Sequence, residues 1–330
     1  MANKNGDLLF LEENKIIKKE KDIKIYIIFL NTKPKTRIIH FILIFIISLI
    51  SKSNLNNILT LKDSIVTLKI SGEGIKKIFY DQNCTRDNFT RPNEIYINEK
   101  KQDNINHSYY LKEGDIIKLV WTKDITCCEC MFRECDSIIE FNFTEFDSSH
   151  SKYMGYMFSG CSSLRTLDLS GFNTSNVENM CNMFQLCYLL ISLNISNFNT
   201  KKVTNMGHMF FNCTSLKSLD LSSFNISNVG YIDNMFNGCT NLTSINLSNF
   251  DTSQVIKMNH LFYNCISLKS INISNFNLGK IIDINNMFNG CTSLKSLEFA
   301  NIEITSKIQN MNNMFLNCEN LEYINFKNFK

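Results

Sequence analysis

One spacing constrains this chain more than any other property. Phe132, Phe158, Phe184, Phe210, Phe236, Phe262 and Phe288 recur every 26 residues, and Phe315 follows after 27. Cys135, Cys161, Cys187, Cys213, Cys239, Cys265, Cys291 and Cys318 keep the same step. Eight copies in phase do not arise from composition. A period of this length marks a repeat architecture, in which each unit exposes an apolar edge and must stack on the next.

Each unit has two halves. In the copy at 161–187, Leu164, Leu167 and Leu169 fit a short strand, with Thr166, Asp168 and Ser170 pointing outward. Val177, Met180, Met183, Phe184 and Cys187 are separated by 3, 3, 1 and 3, which predicts one face of a short helix. Asn173 to Asn176 suit a turn and helix N-cap. The expected fold is therefore α/β: a right-handed leucine-rich-repeat solenoid of eight strand–helix units with a small β-rich N-terminal cap. Some copies depart from the pattern: Ile232 and Ile284 replace Met, Leu261 replaces Met and Ile302 replaces Phe. These swaps roughly conserve apolar volume.

The pattern M-x-x-M-F-x-x-C-x-x-L-x-x-L-x-L-S-x-F-x-T-S-x-V resembles the BspA-like leucine-rich-repeat surface proteins. Residues 206–229 carry it through Met206, Met209-Phe210, Cys213, Leu216, Leu219, Leu221-Ser222, Phe224, Ser227 and Val229. The likeness covers about 125–330. It implies a secreted or surface-displayed protein that adheres to matrix or host proteins or recognises other cells. It transfers a scaffold better than a ligand.

Three segments follow: a basic leader at 1–53, the β-rich cap at 54–124 and the repeats at 125–330. In the cap, SIVTLKI (64–70), KKIFY (76–80), EIYIN (94–98) and IIKLVW (116–121) read as strands between turns, with IIKLVW expected to form the first rung. Trp121 is expected to pack at this junction. In the leader, residues 38–50 (IIHFILIFIISLI) are apolar and follow Lys33, Lys35 and Arg37. The run is short for a membrane span. A cleaved secretory signal, an uncleaved anchor and a buried element stay open as readings.

The net charge of +3 resolves along the chain. Residues 1–53 hold 10 Lys and Arg against 5 Asp and Glu, whereas 54–330 hold 24 against 26. The basic excess sits in the leader, which removes the basis for nucleic-acid binding. The membrane is expected as a partner only through 38–50.

The eight ladder cysteines read as buried small hydrophobes. Cys84, Cys127, Cys128, Cys130 and Cys181 lie outside that ladder. Cys128 falls in register with Met180, while Cys127 and Cys130 fall off the apolar face. The Cys127–Cys130 cluster lacks a second ligand pair at zinc spacing. In a secreted chain, Cys84 paired with Cys127 or Cys130 would tie the cap to the repeats. His208 and His260 share a repeat position two units apart, about 10 Å, too far for one metal, and read as solvated helix residues. No catalytic motif, cofactor loop or metal set is found, so the expectation is a non-enzymatic protein without cofactor.

On the outward strand face, Asn142, Asp168, Asn194, Asp220, Asn246, Asn272, Glu298 and Asn325 form a candidate binding row. A soluble Ser/Asn ladder explains the row equally well. Sequons occur at Asn83, Asn88, Asn106, Asn142, Asn173, Asn194, Asn212, Asn225, Asn241, Asn246 and Asn272. The chain's last strand, with Lys327 and Lys330, either pairs with another copy or marks a shortened family member. The expected role is surface recognition or adhesion toward proteins or glycoconjugates, extracellular or at the cell surface. The alternative is a cytoplasmic leucine-rich-repeat scaffold for protein–protein interaction.

Overall fold

The computed structural model describes residues 63–81, 91–300 and 307–327. These all belong to one compact unit, Leu61–Lys330. The leader with its apolar run 38–50, Cys84 and the sequons Asn83 and Asn88 lie outside the described residues.

The repeats stack, but not as strand–helix units. Among the described residues there is no helix, which overturns the α/β solenoid expected above. Where a helix was expected, each unit runs through overlapping turns. The unit at 206–213 shows how. The amide N–H groups of Met209, Phe211 and Cys213 turn back to the carbonyls of Met206, His208 and Phe210, at 3.3, 3.1 and 3.1 Å. Those of Met206, His208, Phe210 and Asn212 point instead to Tyr231, Asp233, Met235 and Asn237 of the next unit, at 2.7–2.9 Å. Alternate amides thus serve the turn and the stack.

This alternation requires left-handed backbone twice per unit. His208 has φ 58° and Asn212 φ 57°; Asn234 and Gly238 follow at 56° and 74°, and Asn286 and Gly290 at 55° and 80°. Left-handed backbone favours Gly and Asn and interrupts an α-helix. The apolar spacing of about three residues fits both a helix and a chain of three-residue turns. The paired Asn and Gly decide between them.

The strand half is also reduced. Parallel pairs form between β8 (Thr166–Asp168) and β9 (Ser192–Asn194), and among β10 (Ser270–Asn272), β11 (Ser296–Ala300) and β12 (Tyr323–Lys327). No strand forms at 218–220 or 244–246. A separate line of parallel bridges runs Tyr153, Asn179, Asn205, Tyr231, Lys257, Asp283 and Asn310 along the turn side.

At the N-terminal end, β1 (Ser64–Ile70) lies between β6 (Ile116–Trp121) and β7 (Ile138–Glu145), antiparallel to both. β3 (Glu94–Ile97) and β4 (Lys100–Lys101) extend the sheet in the order β4-β3-β6-β1-β7. A second pair joins β2 (Gly74–Lys77) to β5 (Ser108–Leu111). IIKLVW is therefore not the first rung. It lies inside this sheet, alternating exposed and buried from Ile116 to Leu119 and buried at Val120 and Trp121, and β7 carries the first unit's strand. Trp121 is fully buried and meets Phe146 edge-on at 6.0 Å.

The core is continuous along the stack. From Phe158 to Phe315 the repeat phenylalanines lie 5.4–5.8 Å apart with ring planes within 9° of parallel. Parallel offset rings are a favoured aromatic arrangement. Each ladder thiol does more than fill space. Cys187 Sγ donates to the Phe158 carbonyl at 3.2 Å, Cys213 to Phe184 at 3.1 Å, and the pattern continues to Cys318 and Phe288. Buried hydroxyls form a second line. Thr200 Oγ1 donates to the Asn225 carbonyl at 2.8 Å and accepts from the Asn225 amide at 2.7 Å; Thr174 and Thr252 repeat this.

Two outcomes follow. Far-UV circular dichroism is expected to be dominated by the strand-and-turn signal of the described residues. Thr200→Val leaves the Asn225 amide and carbonyl buried without their partner and is expected to cost about 1–3 kcal/mol in urea unfolding. A loss under 0.3 kcal/mol would count against the bridge.

Candidate recognition surface

The outward row was the first candidate site. Asn142, Asp168, Asn194, Asp220, Asn246, Asn272 and Glu298 are exposed, and Asn325 is half-buried. Most of these side chains close a turn of their own backbone. Asp168 Oδ1 accepts from the Ser170 amide at 2.9 Å, Asp220 from Ser222 at 2.9 Å, Asn246 from Ser248 at 3.0 Å and Asn272 from Ser274 at 2.9 Å. Asn142 and Asn194 do the same toward Thr144 and Ser196. The Ser170 and Ser222 amides hold the Asp168 and Asp220 carboxyls below the usual carboxylate range.

Two further turns of this kind recur in several units. Asn173, Asn199, Asn225 and Asn277 each accept from the amide two residues on, and so do Asn179, Asn205 and Asp283. Such Asx turns let a side chain stand in for the next backbone carbonyl. Much of the Asn content is therefore scaffold. Among the sequons, Asn142, Asn173, Asn194, Asn225, Asn246 and Asn272 are turn-closing residues, while Asn106 and Asn241 are exposed and Asn212 is half-buried.

The turn side departs from its own period at one place. The position two residues after each bridge residue reads Gly155, Cys181, Gly207, Asp233, Asn259, Asn285 and Asn312, with Glu129 at the equivalent place in the first unit. Three consecutive small residues leave room there. A groove of about 350 Å³ opens over Cys181 and Gly207, flanked by Tyr156, His208, Tyr231, Asp233 and Lys257. A Cβ on Gly207 would meet Asp233 Oδ1 at 3.2 Å and Asn205 Oδ1 at 3.3 Å.

Tyr156 and His208 occupy left-handed positions, φ 56° and 58°, where four other units carry Asn and one, at His260, again carries His. A bulky residue there costs roughly 1–2 kcal/mol, and such strain gathers at functional sites. The Arg133 guanidinium lies over both the Tyr156 and Tyr80 rings, at 5.1 and 5.4 Å, and orients Tyr156. His208 packs on Phe211 and its Nδ1 lies 3.7 Å from Asp233 Oδ2. Burial pushes its pKa down, against the pull of Asp233. His260, against Tyr263, is also half-buried and lowered by burial. Neither histidine is the solvated helix residue expected. Sequence reasoning missed the groove. Its signal was available in the Gly-Cys-Gly run at a position otherwise held by larger polar side chains.

Chemistry is limited by the thiols. The ladder cysteines are unpaired and buried, Cys318 less deeply than the rest. Burial pushes Cys187 and Cys239 up to about 12, which keeps them protonated and unreactive. Cys127 and Cys130 are not off the apolar face as expected: both are buried, and Cys130 is disulfide-bonded. Among the described residues no group of His, Cys, Asp or Glu could hold a metal, and no helix is long and apolar enough to cross a membrane.

The repeat region matches the family described as Mycoplasma protein of unknown function, DUF285, over residues 110–218 and 190–300. The chain belongs to this family. In the DUF285 chain the matched residues span the turn ladder and the groove together. A solved leucine-rich cell surface protein from Faecalibacterium prausnitzii A2-165 is similar at 18% identity, over 59% of this chain and 67% of that one, with a TM-score of 0.27. No curated protein matches the chain.

Non-reducing peptide mapping of the purified protein is expected to recover Cys130 in a linked peptide with Cys84. Cys213 should resist alkylation until the protein is unfolded. Recovery of Cys84 joined to Cys127 would assign the bridge otherwise.

Proposed function

We propose that this chain is a non-enzymatic recognition protein, extracellular or displayed on the cell surface, that binds other proteins or glycoconjugates. The groove beside His208 carries this reading. Elsewhere the polar repeat positions are largely taken up by turns and bridges of the scaffold, whereas here small residues at Cys181 and Gly207 leave a concave site. Tyr is enriched among residues that dominate binding energy, and two tyrosines flank the groove. The Cys130 disulfide fits an oxidising compartment. The repeat's resemblance to BspA-like surface proteins points the same way. Side chains held in Asx turns make the strand face the weaker candidate.

Protease treatment of intact producing cells is expected to remove the protein. Tyr231→Ala is expected to weaken attachment of purified protein to matrix or cell surfaces about tenfold, roughly 1.4 kcal/mol, without changing its unfolding midpoint. Full protection from protease in intact cells would instead support the intracellular scaffold.

A further inference from the structure

We infer that the groove between Tyr156 and Tyr231 takes a short, neutral oligosaccharide; this rests on the recognition role proposed above and names its ligand class. Four observations lead there. First, the two tyrosines lie three rungs apart along the ladder, about 14 Å at a strand-like spacing of about 4.8 Å. That makes a short track, and the groove volume of about 350 Å³ is small. Second, the chemistry between the tyrosines is polar. His208 and Asp233 sit side by side, Nδ1 to Oδ2 at 3.7 Å, longer than a hydrogen bond. A ligand hydroxyl seated against both can accept from the imidazole and donate to the carboxylate. Third, the charges balance. The lining carries one cation, Lys257, and one carboxylate, Asp233, and burial favours neutral His208. An anionic ligand would meet the Asp233 carboxylate. An apolar peptide side chain would find no aliphatic wall among the lining residues. Fourth, aromatic rings beside hydroxyl-binding polar groups suit a pyranose, which presents an apolar C–H face and a polar rim.

The repeat supplies its own control. Position 208 is left-handed, and Asn is the residue that several other units place there. His208→Asn therefore removes the imidazole while keeping the backbone preference. His260→Asn makes the same change two units on, outside the groove.

The experiment uses the full chain and saturation-transfer NMR with maltose, cellobiose, lactose and chitobiose, each in turn. Transfer to ring protons of at least one sugar is expected, with affinity reduced tenfold or more by His208→Asn and by Tyr231→Ala, and unchanged by His260→Asn. No transfer from any of the four, or equal loss with His208→Asn and His260→Asn, overturns the assignment. Attachment to immobilised mucin, before and after mild periodate oxidation of its sugars, separates the two readings. Loss of attachment on oxidation supports a saccharide. Attachment that survives oxidation yet falls with Tyr231→Ala refutes the saccharide and leaves protein recognition standing. Absence of attachment under every condition, with no sugar bound, removes both.

Discussion

The structure depends on where alternate amides point. In each unit, the residue before Met-Phe and the second residue after Phe adopt left-handed backbone. That geometry turns every second N–H out of its own unit and into a carbonyl of the next. Without it the segment would close on itself, and the units would share only side-chain contacts. With it, backbone hydrogen bonds run the length of the stack, and buried backbone polar groups are met as they must be. The phenylalanine column, the thiol donors and the threonine bridges all take their register from this alternation.

The repeat was legible in the sequence because it is a matter of spacing, and spacing survives any error in local structure. Phe, Cys, Met and Leu fall where the period places them, and nearly all are buried. The local conformation was less legible. Val177, Met180, Met183, Phe184 and Cys187 fit a helical face, yet a chain of three-residue turns yields almost the same apolar pattern. The deciding letters were Asn and Gly: Asn182, Asn212, Asn234 and Gly238 mark left-handed positions inside the supposed helix. IIKLVW failed for a different reason. A strand's alternation says which face is buried, not which neighbour it joins, and here the neighbour is β1 rather than the ladder.

The candidate site shows a related limit. A periodic row of polar residues draws the eye as a binding face. In this fold periodicity is what the scaffold itself needs, and Asp168, Asn194, Asp220, Asn246 and Asn272 close turns. Binding specificity has to come from positions that do not repeat. Gly155, Cys181 and Gly207 broke the column quietly, because small residues carry little chemical signal on their own. Only the neighbouring Tyr156, His208 and Tyr231 give the opening a character.

The Cys-to-Phe bond offers a last consequence. From Cys161 to Cys291 each thiol reaches a carbonyl 29 residues back, and Thr174, Thr200 and Thr252 each meet an amide 25 residues ahead. Those fixed reaches act as a ruler. Whole units of 26 residues can be gained or lost between neighbours with every bond re-formed, and the one 27-residue step, before Phe315, still keeps its thiol bond from Cys318 to Phe288. Length in such a chain therefore changes most easily by whole units. Removing a single unit would keep the ladder intact yet shift what borders the groove, so the scaffold and its recognition chemistry are free to diverge at different rates.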